Sequence, residues 1–383
     1  MERHTESGPI TAASRITSLD LIRGVAVLGI LLMNAVHFKF AAVPYLNLSA
    51  GGSKTWLDWA VGVFGEILVD QKFMGLFSLL FGAGVVLFLG RVEARGGRKV
   101  LLSLWRNGLL LAIGVLHSLL WSGDVLTAYA ISSVVLIALR KLPAQALVII
   151  GAGLFLVPVA VDSVLQSVVN ATDISLVGIW VQPGAVSVSE ESTQELLDWV
   201  TLNYFVRGLA LILMGAGLYQ LGFMSGEMST GTYRKVAFIG LGVGLPLAAA
   251  GVIITVMSDF SRDVAFISQI PNHLGTIPAS LGYMSVLILW NRGSDGWLKR
   301  RFRAAGRMAL TNYLTQTILG VLVLAVWLGD ADVNRSGIVL FVVTVWVLQL
   351  WWSQAWLSRF RFGPAEWLWR VATYRRWQPL RGS

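Results

Sequence analysis

The chain is 383 residues long, 55% hydrophobic and only 13% charged, with a formal net charge of +9. Soluble domains carry about 25% charged residues, and a nucleic-acid binder gathers its lysines and arginines on a water-exposed face. So apolar a chain has little such face, which excludes a soluble globular fold and a nucleic-acid partner, and the lack of cysteine excludes thiolate nucleophiles, zinc–thiolate sites, iron–sulfur clusters and disulfides.

Residues 1–18 are polar and cannot build a core; they read as a cytoplasmic tail. The first apolar run, Leu19 to about Phe38, is too long for a signal-peptide core and has no small-residue cleavage site after it, so it reads as an uncleaved first span. Further runs lie at about 73–90, 100–121, 125–140, 142–162, 203–221, 236–257, 267–290, 307–328 and 337–357, near the roughly 20 residues a bilayer requires. The stretch 56–72 is shorter and carries Asp58, Glu66 and Asp70, each costing about 2.5–3.5 kcal/mol at mid-bilayer. It is predicted to be interfacial or re-entrant. The expected fold is all-α: about ten transmembrane helices plus that one interfacial or re-entrant helix, filling 19–358, with 359–383 as a second cytoplasmic, interfacial tail.

Charge orients the spans. With the N-terminus in the cytoplasm, ten crossings place 24 of the 30 lysines and arginines inside and 14 of the 21 acids outside. The six outer cations are Lys39, Lys54, Lys72, Arg207, Arg262 and Arg335. Basic loops stay cytoplasmic, so both termini are expected inside, in a multi-pass protein of the cytoplasmic membrane. An eleventh crossing through 56–72 would send the basic segment 91–99 outside. The largest outer segment, about 163–202, is acidic, and its Ser192 and Glu195 read as a capping box that opens a short helix. The runs LFSLLFGAGVVLF (76–88) and LALILMGAGLYQL (209–221) look alike.

Four regions carry a family resemblance: LDLIRGVAVLGILLMN (19–34), KFMGLFSLLFGAG (72–84) with LAIGVLHSLLWSGDVLTAYA (111–130), GRMALTNYLTQ (306–316) and GPAEWLWRVATY (363–374). In wording and order they resemble the YeiB-like membrane proteins of the domain-of-unknown-function family 418. More distantly, LDLIRG at the start of the first span is similar to OafA-like membrane acyltransferases and to heparan-alpha-glucosaminide N-acetyltransferase. That similarity implies transfer of an acyl group from a cytoplasmic thioester to an acceptor, often on the far side of the membrane. The OafA-like pattern has a His eleven residues after the Arg; here Arg23 is followed at that distance by Asn34, so a base must come from elsewhere.

His117 and Asp124 are the candidates. Seven residues of continuous helix would separate them by about 10.5 Å, but a turn through Ser122–Gly123 brings them into reach. A histidine poised by a carboxylate is an ordinary general base; the bland account is a satisfied bundle histidine beside a capping aspartate. His37 and His273 fall at the same outer level, and His37 shares a helical face with Asn34, so both residues of that face are candidate cavity lining. No two histidines show metal-ligand spacing, and no metal site is assigned. At the inner level Asp20 and Arg23 share a face, and Arg23, Arg106 and Arg307 would hold the phosphates of a donor or a lipid headgroup, or simply anchor the chain. Arg307, Thr311, Asn312, Tyr313 and Gln316 form a polar stripe; Asn312 and Gln316, four apart, face together, toward a cavity or another helix. Glu366 and Arg370 read as an internal pair beside the interfacial Trp367 and Trp369.

No Walker A, GxSxG or HExxH motif occurs, so ATPase, serine-hydrolase and zincin chemistry have no support. Three readings follow. The first is a transmembrane acyltransferase with acyl-coenzyme A as co-substrate, no permanently bound cofactor, a lipid or glycan acceptor at the outer face, and His117 as base or acyl carrier. The second is a transporter or flippase of a small anion or lipid, and the third a structural membrane protein. Membrane lipids are partners in all three, and each is compatible with a homo-oligomer.

Overall fold

The computed structural model describes residues 16–40, 45–94, 99–172, 176, 180 and 190–381, the side chains of 190–197 excepted. The Ser192–Glu195 capping box lies outside what is so described. Thirteen α-helices occupy the described residues: α1 (Thr17–Lys39), α2 (Trp56–Phe64), α3 (Lys72–Glu93), α4 (Lys99–Ser118), α5 (Leu126–Leu139), α6 (Ala144–Ala171), α7 (Glu190–Gln220), α8 (Thr230–Met257), α9 (Gln269–Arg292), α10 (Trp297–Arg307), α11 (Ala309–Gly320), α12 (Arg335–Leu357) and α13 (Pro364–Tyr374). A π-helical turn, Val321–Trp327, prolongs α11. Among the described residues nine helical stretches are long and apolar enough to cross a membrane, with α2 and α3 counted together, and α5 is a shorter apolar helix. Each of the ten expected runs coincides with a helix. The protein is all-α and polytopic.

The segment before α3 is short and broken. α2 has nine residues and runs into a five-residue π-helical turn, Gly65–Val69, before the chain breaks at Asp70 and Gln71, where Gln71 adopts a φ of 63°. At 1.5 Å per residue that helical stretch reaches about 21 Å, short of the roughly 30 Å hydrocarbon core. Its buried Asp58 closes a capping box with Thr55 and also accepts from Asn334 and the Ser336 amide at the start of α12. A charge inside the bundle is thereby fully hydrogen-bonded.

α1 is the axial helix. Leu21, Ile22, Ala26, Val27, Leu31 and Ala35 are wholly buried, against α3, α9, α10, α11 and α12. Its closest crossing is glycine on glycine: a Cβ on Gly24 would lie 1.9 Å from the Phe302 carbonyl oxygen, and one on Gly306 1.9 Å from that of Asp20. Lipid tails are as apolar as leucine, so helices in a membrane associate through close backbone packing at small residues. The two look-alike runs meet in the same way: a Cβ on Gly82 of α3 would lie 1.9 Å from the Ile212 carbonyl oxygen, and one on Gly215 of α7 2.0 Å from that of Leu79. Outward, α6 exposes Ile149, Leu156 and Val164, and α12 exposes Leu340 and Val347, the surface a lipid-facing helix requires.

Two boundaries differ from expectation. α6 continues to Ala171, past the apolar run that ends near 162, because Asp162 and Gln166 face protein and find partners there. The run 307–328 starts two residues late in the structure: Met308, at φ −113° and ψ 29°, separates Arg307, the end of the basic amphipathic α10, from α11. Gly306→Ala is expected to destabilise the bundle by about 1–3 kcal/mol through overpacking, read as a lower unfolding midpoint in detergent. Gly153→Ala, where an added Cβ meets nothing within 4 Å, should not lower it; equal effects would show that the α1–α10 contact is not limiting.

Candidate functional site

A cavity of about 1150 Å³ lies among α1, α3, α4, α10, α11 and α13, at or above the top of the roughly 300–1000 Å³ range of small-molecule pockets. Its walls are graded. Arg23, Arg91, Arg106, Arg307, Arg370 and Arg376 line one end. Toward the middle of the bundle the walls become Phe77, Leu80, Phe81, Leu110 and Leu126, and Tyr313 closes the apolar end. The distance from Arg91 to Phe77 along α3 is about 21 Å.

Asp20 and Glu366 are the acids on this wall, and both are engaged. Asp20 stands 3.5 Å from Arg23. Glu366 of α13 accepts from the Leu310 amide at 2.6 Å, the Thr311 amide at 3.1 Å and the Thr311 hydroxyl. It thereby caps α11, which has no side-chain cap of its own. Burial pushes the Glu366 carboxyl above its usual range, although these donors oppose the shift. Bare helix N–H groups are strong claimants for a carboxylate, and Arg370, four residues on, lies over Phe362 at 4.4 Å. Arg106 is held between Phe88 and Trp369, each ring 4.3 Å away. Stacking fixes the plane of its guanidinium while leaving the N–H edge for an anion.

His117 is buried one ring beyond the cavity. The turn that ends α4 brings its Nδ1 to 2.8 Å from Asp124 Oδ1, and Asp124 Oδ2 accepts from the Thr127 amide at 2.9 Å. Burial alone would raise the Asp124 carboxyl; hydrogen bonds from His117 and the amides of Thr127 and Leu126 outweigh it and lower it. The Tyr313 ring lies 5.1 Å from that of His117, with the Val125 amide 3.5 Å from its hydroxyl. His117 Nε2, Trp121 Nε1 and Thr127 Oγ1 are all buried without a hydrogen-bond partner among the described residues. His117 itself does not line the cavity; Tyr313 stands between.

The remaining candidates divide. Arg23, Arg106, Arg307 and Asp20 share the cavity wall. Asn312 and Gln316 do not. Asn312 donates to the Ala305 carbonyl and Ser353 and accepts from Trp352, while Gln316 donates to Gln349 and the Val27 carbonyl. These amides join α11 to α12 and α1, where polar partners exist to satisfy them. Asn34 is half-buried on α1, away from the cavity, and the His37 ring meets Trp121 at 5.5 Å and Tyr45 at 6.5 Å. Trp121 in turn lies 6.2 Å from His117. Tyr313 is the residue that sequence undervalued; it lines the cavity with Ala309, which stands four residues before it on the same face of α11.

Fold and site define a polytopic helical membrane protein built around an arginine-lined cavity. A family model described as "Protein of unknown function (DUF418)" matches residues 218–376. The chain is 33% identical over 380 residues to "Uncharacterized protein YeiB" of Escherichia coli (strain K12), covering 94% of this chain and 97% of the relative. It is 29% identical over 405 residues to "Uncharacterized protein YxaH" of Bacillus subtilis (strain 168), covering 97% of each. The chain belongs to the DUF418 family. No solved structure matches it.

Glu366→Ala is expected to cost about 0.5–2 kcal/mol, as loss of a helix cap does, and to loosen α13. Unfolding midpoint and trypsin cleavage beyond Arg370 measure both. No change in either would mean that the aromatic contacts alone dock α13.

Proposed function

We propose that the protein is an integral-membrane acyltransferase. It takes an acyl group from a cytoplasmic thioester such as acyl-coenzyme A and delivers it to a hydroxyl or amine of a lipid or glycan at the outer face. The observation that carries this reading is the cavity itself: arginine-rich at one end, apolar along its length, and ending one ring short of a histidine–aspartate pair. The donor's phosphates sit against Arg23, Arg106 and Arg307, and its acyl arm runs along Phe77, Phe81 and Leu110 toward Tyr313. The inward-facing cation excess of the sequence agrees with a cytoplasmic donor.

The chemistry follows from the pair. With Nδ1–H donating to Asp124, the Nε2 lone pair is left as the base. Nε2 takes the acceptor's proton as its oxygen or nitrogen attacks the thioester carbonyl carbon. The C–S bond then breaks, and the departing thiolate receives that proton from the imidazolium, which restores the neutral histidine. Tyr313 keeps the thioester from the pair until the acceptor is in place, which limits hydrolysis.

Purified protein in lipid vesicles, supplied with labelled acetyl- or acyl-coenzyme A and membrane lipid or glycan acceptors, should form a labelled product. His117→Ala should abolish it, and Asp124→Asn should lower kcat about 10²–10⁴-fold, the span of general base catalysis, with the donor KM little changed. Arg106→Ala should instead raise the donor KM. Absence of transfer with every donor, together with anion or lipid flux in sealed vesicles, would replace this reading with transport.

A further inference from the structure

The opposite end of the bundle holds a second set of buried ionisable residues that the acyl-transfer reading leaves unused. Lys72 opens α3 there, about 28 Å along the helix from Arg91. Lys72 is completely buried and donates to the Glu66 carbonyl and the Asn272 side chain. Around it, α6 contributes Asp162, α7 contributes Asn203, Tyr204 and Arg207, and α9 contributes Asn272 and His273.

Arg207 is the anomaly. It is 2% exposed, its guanidinium lies 4.9 Å from the Tyr204 ring centre, and its Nε and Nη1 find no acceptor among the described residues. The carboxylates whose field reaches it, Asp70 and Asp162, are engaged by neutral donors. Asp70 accepts from Tyr45 at 2.6 Å, Gln71 at 3.2 Å and Asn272 at 3.1 Å. Asp162 accepts from Trp199 and twice from Asn203, all at 3.1 Å, and faces His273 Nδ1 at 3.4 Å. Beside this fork, Gln71 Oε1 and Asn203 Oδ1 are buried acceptors without a donor among the described residues, and Gln71 sits at the positive-φ break before α3.

An arginine cannot escape burial by losing its proton, and an unpaired buried cation is costly in a membrane bundle. Its planar fork matches two oxygens of one anion. The two open amide oxygens call for hydrogen-bond donors on the same ligand. We propose that Arg207 anchors a second binding site, for a carboxylate or phosphate group that carries hydroxyls beside it, the hydroxyls donating to Gln71 and Asn203. The site does not depend on acyl transfer; a free hydroxylated anion and a lipid headgroup share this chemistry.

The test uses the full chain in detergent, in an Arg106→Ala background that keeps the other cavity from dominating. Unfolding midpoints are followed against glucuronate, glycerol 3-phosphate and, in mixed micelles, phosphatidylglycerol. At least one probe should raise the midpoint saturably, and Arg207→Met should weaken that response at least about tenfold, as loss of a charged bidentate contact does. Response to glycerol 3-phosphate identifies a free anion; response to phosphatidylglycerol alone identifies a headgroup. Without ligand, Arg207→Met should be no less stable than its parent, since it removes an unpaired buried charge. No response to any probe, or equal responses in parent and variant, would overturn the proposal. Should Arg207→Met not fold, Arg207→Lys retains the charge without the fork, and an undiminished response there would overturn it equally.

Discussion

The contact of α1 with α10 at Gly24 and Gly306 governs the geometry of everything around the cavity. Because the two backbones touch there, Asp20 and Arg23 are brought to the same wall as Arg307. The break at Met308 directly after this contact turns α11 away from α10. That turn leaves α11 with a bare N-terminus, which Glu366 of α13 caps, and carries Tyr313 against His117. A side chain at either glycine would separate the helices and, with them, the arginines from the histidine.

Around this frame, buried polarity is handled in three ways. Carboxylates sit on backbone amides: Asp58 on Thr55 and Ser336, Asp124 on Thr127, Glu366 on Leu310 and Thr311. Amide side chains pair across helices, as Asn312 and Gln316 do with Ser353 and Gln349. Guanidinium groups lie against aromatic rings, Arg106 between two and Arg370 over one. Each device lowers the cost of a buried polar group through neutral partners. His117 Nε2 and the Arg207 fork stand outside all three, at opposite ends of the ring series Tyr45, His37, Trp121 and His117 and the cluster that Tyr45 joins through Asp70.

Legibility in the sequence followed the range of each interaction. The spans could be read because twenty apolar residues have few other uses, and 56–72 stood apart through three acids that no isolated span would carry. His117 and Asp124 could be paired because a Ser-Gly turn between them is local. The polar stripe of α11 was legible only as a stripe. Helical periodicity showed that Asn312 and Gln316 share a face, but Gln349 and Ser353, the reason that face turns toward α12, lie more than thirty residues away. Lys72 and Arg207 read as ordinary cations near span ends; burial of both depends on α9 and α7 closing over them.

Composition and hydropathy by themselves determined an all-α membrane protein, the approximate extent of its helices and the short, acid-bearing segment before α3, because those follow from the cost of polar groups in hydrocarbon. Tertiary structure alone decided which polar faces meet a cavity and which meet one another. That choice rests on close glycine crossings and on hydrogen-bond partners distant in sequence, neither of which leaves a periodic trace in the chain.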